Sequence, residues 1–408
     1  MKPTVAVILA AGASTRMITD LPKVLHEVCG RPMLAYVLDV CRSVGIERIL
    51  CVVGYRQEDI ERAFADESSV EWISQSEQKG TGHAVRVCAE ALEGFDGNCV
   101  VLCGDGPLIR AETLRALIEK HEQTHSVATL ATAILDDPTG YGRIVRDAYG
   151  NIEGIVEHGD CTESQRGIRE INPSYYCFDA RHLFDALAQV KPDNIKGEYY
   201  LTDALHIIIN QGLRATAITS VDPHDVLSIN SRQQLAEVSK LMQRRIQDRL
   251  MSQGVTIVDP ENTWIDARTT IGKDTVIRPF SYIHGRVEIG ERCSVGPFSY
   301  LRDGTKLAND VVVGVFTELK AAVLGEGTRA RHLSYLGNTR IGRRVNVGAG
   351  TIVANFDGET INETHIDDDT FIGSGSILVA PLTLGPGTHV ETGSVVDQAS
   401  APPVGRER

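Results

Sequence analysis

The sequence predicts two architectures in tandem: an α/β domain built on a parallel sheet, then a parallel β-helix of six-residue repeats. Three observations predict this. In the first two thirds, apolar runs of strand length alternate with amphipathic helical stretches. In the last third, one branched aliphatic recurs at every sixth position. The 408 residues exceed one ordinary core, and a prior of roughly 150 residues per domain allows two or three.

Thr4–Leu9 is a continuous apolar run, which reads as a strand buried on both faces. Further strands are expected at Arg48–Val53, Val70–Ile73 and Cys99–Cys103, with helices at Met33–Ser43, Gln57–Ala65 and His83–Leu92 between them. Ligands of such sheets gather beyond the carboxyl ends of the strands. Three loops fall there. The first, Ala10-Ala11-Gly12-Ala13-Ser14-Thr15-Arg16, has small residues that let backbone N–H groups approach a phosphate, and Arg16 and Lys23 add cations. It lacks the Gly-Lys-Ser/Thr of a Walker loop and the full Gly-x-Gly-x-x-Gly dinucleotide fingerprint. The second, Gln75–Gly82, precedes a helix. The third, Gly104-Asp105-Gly106, ends a strand with a carboxylate that suits a hard cation such as Mg²⁺.

Leu235, Val238, Leu241, Met242, Ile246 and Leu250 keep helical spacing across Ser231–Met251, a rigid connecting helix ended by Gly254. The repeat follows as Ile265, Ile271, Ile277, Ile283, Ile289, Val295, Leu301, Leu307, Val313 and Leu319. Four residues after each anchor comes a small one, from Thr269 and Thr275 to Thr317 and Val323. The anchors resume at Ile341, Val347 and Val353, then run from Ile366 to Val396. A six-residue period is neither helical nor that of an ordinary strand, and it fits a prism of short strands and corners; period alone leaves the handedness open. Lys320 and Arg329-Ala-Arg-His-Leu-Ser-Tyr-Leu-Gly337 break the rhythm and gather side chains capable of chemistry.

The formal charge of −13 argues against a nucleic-acid partner. Nine scattered cysteines without a Cys-x-x-Cys pair suit reduced, mostly buried thiols in a cytoplasmic protein. The opening apolar run is too short to span a bilayer and lacks a signal-like cleavage region, so no membrane insertion is expected.

The segments Leu9-Ala-Ala-Gly12, Thr15-Arg16-Met17, Leu21-Pro-Lys-Val-Leu-His26, Gly80-Thr-Gly-His-Ala84 and Gly104-Asp105 resemble the sugar-1-phosphate uridylyltransferase family. Asp137-Pro-Thr-Gly-Tyr-Gly-Arg143, Ile155-Val-Glu-His158, Glu170-Ile-Asn172, Gly197-Glu-Tyr-Tyr-Leu-Thr-Asp203 and Asn230 are similar, in order and spacing, to its bifunctional branch. There N-acetylglucosamine-1-phosphate uridyltransferase is joined to glucosamine-1-phosphate N-acetyltransferase. The resemblance covers nearly the whole chain. It implies a Rossmann-like nucleotidyltransferase domain over residues 1–230, a linker helix over 231–253, a left-handed parallel β-helix over 254–398 and a tail over 399–408.

The resemblance also implies roles. Ala10, Ala11, Gly12 and Gly104 would meet the nucleotide, Arg16 and Lys23 the triphosphate of UTP, and Gln75, Gly80 and Thr81 the uracil. Gly140, Glu157, Asn172 and Thr202 would hold the sugar of N-acetylglucosamine 1-phosphate, and Asp105 and Asn230 would share Mg²⁺. In the β-helix, Arg302, Lys320, Tyr335 and Asn346 would bind glucosamine 1-phosphate, with His332 as general base. Ala349, Asn355, Phe356, Ser374 and Thr392 would line an acetyl-CoA groove in a homotrimer.

Some positions differ from the family pattern. Ser14 stands for a glycine, Cys103 for a frequent tyrosine, Pro173-Ser174 for Thr-Gly and Ile361 for a lysine. The basic C-terminal arm is not in the sequence, and the solenoid is shorter before Leu301 by about two coils of ~18 residues. The competing expectation keeps uridylyl transfer alone and makes the β-helix an oligomerisation scaffold.

Overall fold

A computed structural model describes residues 2–13, 15–219 and 221–402; Ser14 and residues 403–408 of the expected tail lie outside the described residues. The chain divides into two units, Met1–Ser239 and Lys240–Arg408.

The first unit is built on a seven-stranded sheet. Its strands are β1 (Thr4–Leu9), β2 (Arg48–Val53), β3 (Val70–Ser74), β4 (Asn98–Cys103), β5 (Ala128–Ala131), β6 (Tyr176–Asp179) and β7 (Ala215–Ile218). Their spatial order is β7-β5-β6-β4-β1-β2-β3. All pairs are parallel except those of β6, which runs against β4 and β5. Val5, Ala6, Val7 and Ile8 are fully buried, as a strand covered on both faces requires. Helices α1 (Met33–Ser43), α2 (Gln57–Ala63), α3 (Thr81–Arg86), α4 (Ala111–Thr124), α5 (Ala180–Leu187) and α6 (Leu201–Asn210) supply the covering layers. Helix α3 is shorter than the expected His83–Leu92, because beyond Arg86 the backbone tightens into turns such as Ala89 N–H to Arg86 C=O. A separate four-stranded antiparallel sheet, with Gly142–Arg146, Ile152–Val156 and Glu170–Asn172 among its strands, carries the loops around Gly140 and Glu157.

Helix α7 (Arg232–Ser252) leads into the second unit. There three sheets of eight, eight and seven short strands stack as the faces of a parallel β-helix. The first face begins at Thr256–Ile257, the second at Trp264–Ile265 and the third at Thr270–Ile271. The anchors Ile265 to Leu319 all lie within 8% of full burial. Side chains directly before them point outward, so each two-residue strand places one residue in and one out.

The expected break in the six-residue rhythm is present, but it does not interrupt the ladder. The ladder continues through Arg329–His332, Tyr335–Gly337 and Thr339–Ile341, with Leu324, Ala330 and Leu336 as fully buried anchors. Two coils are one residue shorter: Leu307 pairs with Leu324, and Leu324 with Ile341. The small interior position therefore falls on Ala322, fully buried, and Val323 points outward. A strict count of six loses register there, although the fold does not. Among the described residues, the ladder is interrupted by the loop after Ala354, which closes through an isolated bridge between Phe356 and Ile361.

Candidate active sites

In the first unit, the loops beyond β1, β3 and β4 enclose a cavity of about 370 Å³. Ala10, Ala11, Gly12, Lys23, Gln75, Gly80, Thr81 and Asp105 line it, as do Cys103 and Glu198. Gly104 sits just behind, its N–H donating to Leu9 C=O at 2.9 Å. Gly80 shows why two distant motifs belong together. It has φ +105°, and a Cβ there would lie 2.6 Å from the Tyr199 carbonyl oxygen. Gly82 N–H donates to that same oxygen at 2.8 Å, and Leu201 N–H donates to Thr81 Oγ1 at 3.1 Å. The Gly80-Thr-Gly loop is thus interlocked with Tyr199–Leu201. Gln75 is buried at 3% exposure; its Nε2 donates to His83 Nδ1 at 2.9 Å and to Gly80 C=O. Burial, with help from Arg86, holds the His83 imidazole below its usual pKa, which fits a neutral ring accepting at Nδ1.

The charged centre of this cavity is built from three separate segments. Lys23 Nζ pairs with Asp105 Oδ2 and donates to Asn230 Oδ1 at 2.7 Å. Arg16 Nη2 reaches the same Asn230 oxygen at 2.7 Å. Asn230 is held in turn: its N–H donates to Gln234 Oε1, and its Nδ2 to Ser228 Oγ. Two oxygens from residues far apart in sequence therefore converge on one cationic point, the donor chemistry that a hard divalent ion selects. No group of three or more His, Cys, Asp or Glu side chains suited to a metal occurs among the described residues.

A second cavity of about 160 Å³ adjoins the first, sharing Leu9, Thr81, Cys103 and Glu198 with it. Glu157, Thr202, Ser174, Tyr176 and Lys196 also line it. Burial raises the Glu157 carboxyl above its ordinary range, although Thr202 Oγ1 donates to it at 3.4 Å. Gly140 and Asn172 line neither cavity. Sequence reasoning missed Tyr176 and Lys196 and met Ser174 only as a departure from the family pattern; Glu198 was within reach, inside the quoted Gly197-Glu-Tyr-Tyr motif.

In the second unit, the residues expected at an acetyl site are spread over the first two faces of the prism and the corners at either end of the second. Arg302, Lys320 and Tyr335 sit on the second face, where Arg302 Nη1 donates to Glu318 Oε1 at 2.9 Å. The Tyr335 hydroxyl lies over Gly337, beside Asn355 Nδ2. Asn346 sits on the first face, in register with Arg329. His332 stands where these faces meet, exposed, at the foot of a column. Gly350 N–H donates to His332 C=O at 3.4 Å, Gly375 N–H to Ala349 C=O at 2.7 Å, and Gly393 N–H to Ser374 C=O at 2.8 Å. His332, Ala349, Ser374 and Thr392 therefore occupy one corner on successive coils, a relation hidden by their unequal spacing in sequence. Phe356 and Ile361 are more than half exposed on the adjoining loop.

A MobA-like NTP transferase domain family matches residues 6–205. Bacterial transferase hexapeptide repeats match residues 268–303, and the hexapeptide repeat of succinyl-transferase matches 364–398. The chain is 42% identical to the bifunctional protein GlmU of Geobacillus sp. (strain WCH70), over 96% of its own length and 92% of the relative. It is 44% identical to the bifunctional protein GlmU of Pelotomaculum thermopropionicum, over 92% and 89%. A crystal structure of UDP-glucose pyrophosphorylase complexed with UDP-glucose superposes with a TM-score of 0.50 at 19% identity, covering 59% of this chain and 99% of that one. At that identity it reports the fold of the first unit.

Proposed function

The chain belongs to the family of bifunctional GlmU proteins, and from that premise we infer how its two halves divide the work. It makes UDP-N-acetylglucosamine: acetyl-CoA acetylates glucosamine 1-phosphate, and UTP then donates its uridylyl group with release of pyrophosphate. Residues 1–230 are assigned the second reaction and residues 254–398 the first, with 231–253 as the link.

The observation that carries the uridylyl assignment is the convergence of Arg16 and Asn230 on the Lys23–Asp105 pair that lines the cavity. A phosphate oxygen of the sugar 1-phosphate attacks the α-phosphorus of UTP in line, and pyrophosphate leaves. Such transfers rest on positioning and charge stabilisation. Lys23 and Arg16 stabilise the triphosphate, the Ala10–Gly12 amides and Gly104 meet the nucleotide, and Gln75, Gly80 and Thr81 read the uracil edge. Glu157 and Thr202 meet the sugar from the adjoining cavity. Asp105 and Asn230 would hold Mg²⁺, which when bound supplies charge neutralisation between the phosphates.

For acetyl transfer, Arg302, Lys320, Tyr335 and Asn346 hold the amino-sugar phosphate. The amine attacks the thioester carbonyl, His332 accepts its proton, and the CoA thiolate leaves. Ala349, Ser374, Thr392, Asn355 and Phe356 line the approach of acetyl-CoA. The active form is a homotrimer in the cytoplasm. The solenoid's outward apolar residues support the trimer, and no helix among the described residues is long and apolar enough to cross a membrane.

The test is a pair of assays on the purified chain: acetyl transfer to glucosamine 1-phosphate with UTP omitted, and uridylyl transfer to N-acetylglucosamine 1-phosphate with acetyl-CoA omitted. Both should turn over. Uridylyl transfer alone would make the β-helix a scaffold.

A further inference from the structure

Resting on the uridylyl-transfer reading, we propose that the hydroxyl of Ser174 is a specificity-determining contact to the sugar ring of the sugar 1-phosphate. Asn172 is 5% exposed, and both ends of its amide are used inside the protein. Its Oδ1 accepts from Ser174 N–H at 3.1 Å, and its Nδ2 donates to the Tyr176 hydroxyl at 2.6 Å. Asn172 therefore orders a turn, and the turn presents Ser174. Ser174 is half-buried and lines the sugar-side cavity together with Glu157, Thr202 and Tyr176.

The backbone at this position makes the side chain informative. Ser174 has φ +65°, the left-handed region that glycine enters freely and a serine enters at a cost. Strain of this kind at a cavity wall points to a use for the side chain that bears it. The Ser174 hydroxyl lies within hydrogen-bonding reach of the Cys103 thiol and the Tyr176 phenol, which hold it in place. Cys103 belongs to both cavities, so Ser174 stands beside their shared wall. A hydroxyl there can both donate to and accept from a sugar hydroxyl or amide. A site built to bond such a group rejects a sugar lacking it more strongly than an apolar wall would.

Two variants of the full chain separate the hydroxyl from the backbone. Ser174→Gly removes the hydroxyl and relieves the strained φ; Ser174→Ala removes the hydroxyl and keeps the strain. Both should lower kcat/KM for N-acetylglucosamine 1-phosphate by roughly 3- to 10-fold, the loss of one hydrogen bond. KM for UTP and the rate of acetyl transfer should stay unchanged, and the glycine variant should melt no lower than the wild type. A glycine variant with wild-type sugar kinetics would overturn the contact, as would an effect confined to alanine, which would mark a backbone role. An equal rise in KM for UTP would also overturn it. A wild type that transfers uridylyl to no sugar 1-phosphate would instead sink the reading on which the proposal rests.

Discussion

At the scale of single residues, environment sets what each group of the uridylyl site can do. Lys23 and Asp105 are each less than a fifth exposed, so their attraction is weakly screened compared with a surface pair. Glu157 shows the opposite effect, since burial raises its carboxyl pKa. The folded protein then binds that proton more tightly than the unfolded chain, so this group's contribution falls as pH rises from about 4.3, the unfolded value, through the folded one. Glu157→Gln keeps an acceptor for Thr202 and removes the titration. The variant should melt above the wild type at pH 8, with the gap closing as pH approaches 4. A gap independent of pH would rule out this account. Much of this was legible in sequence: Asp105, Lys23 and Gln75 all lie where the strand ends predicted. That Asn172 points inward was not, because its partners Ser174 N–H and Tyr176 depend on a turn the pattern does not report.

At the scale of elements, the connecting helix does more than its apolar spacing suggested. Gln243 donates from Nε2 to Ile265 C=O at 2.6 Å and accepts from Ile265 N–H at 3.0 Å. Gln247 donates to Thr263 C=O at 2.8 Å and Pro260 C=O at 2.9 Å. The first coil of a β-helix presents unpaired backbone groups, and an end repeat needs a cap. The two glutamines, at 5% and 2% exposure, are that cap. Replacing Gln243 with Leu leaves a buried N–H and C=O unpaired, at a cost of ~1–3 kcal/mol each. Thermal unfolding should show the second unit melting earlier, with the first unchanged; an unshifted transition would remove the capping role. Sequence reading caught the helix through its Leu and Val spacing. It could not see the cap, because a glutamine's partner is a coil edge defined only once the prism exists.

At the scale of the whole molecule, the solenoid leaves apolar surface on its second face and at one corner. Phe280, Phe298 and Phe316 stack with ring centroids 4.7 and 5.3 Å apart, and each is about half exposed, as is Leu333 one coil on. Tyr282, Ile352, Ile377 and Val395 add exposed side chains on the second face. Contiguous apolar surface of this kind marks an interaction site, and the proposed homotrimer would cover it. Phe298→Glu should shift the mass measured by light scattering from trimer toward monomer and lower acetyl transfer by at least tenfold, while uridylyl transfer persists. A variant that stays trimeric would place the interface elsewhere. The hexad period made the prism legible from sequence, but the outward aromatics align into a ladder only when the coils are stacked.

The central claim is that one chain carries two chemically separate sites. The most direct measurement is both half-reactions in Asp105→Ala, which removes the carboxylate paired with Lys23 and leaves the His332 corner untouched. The account predicts loss of uridylyl transfer by 10²-fold or more, the order found when a preorganised charge-stabilising group is removed, with acetyl transfer to glucosamine 1-phosphate at the wild-type rate. A folded Asp105→Ala protein that loses both reactions together, or that keeps uridylyl transfer, would contradict it.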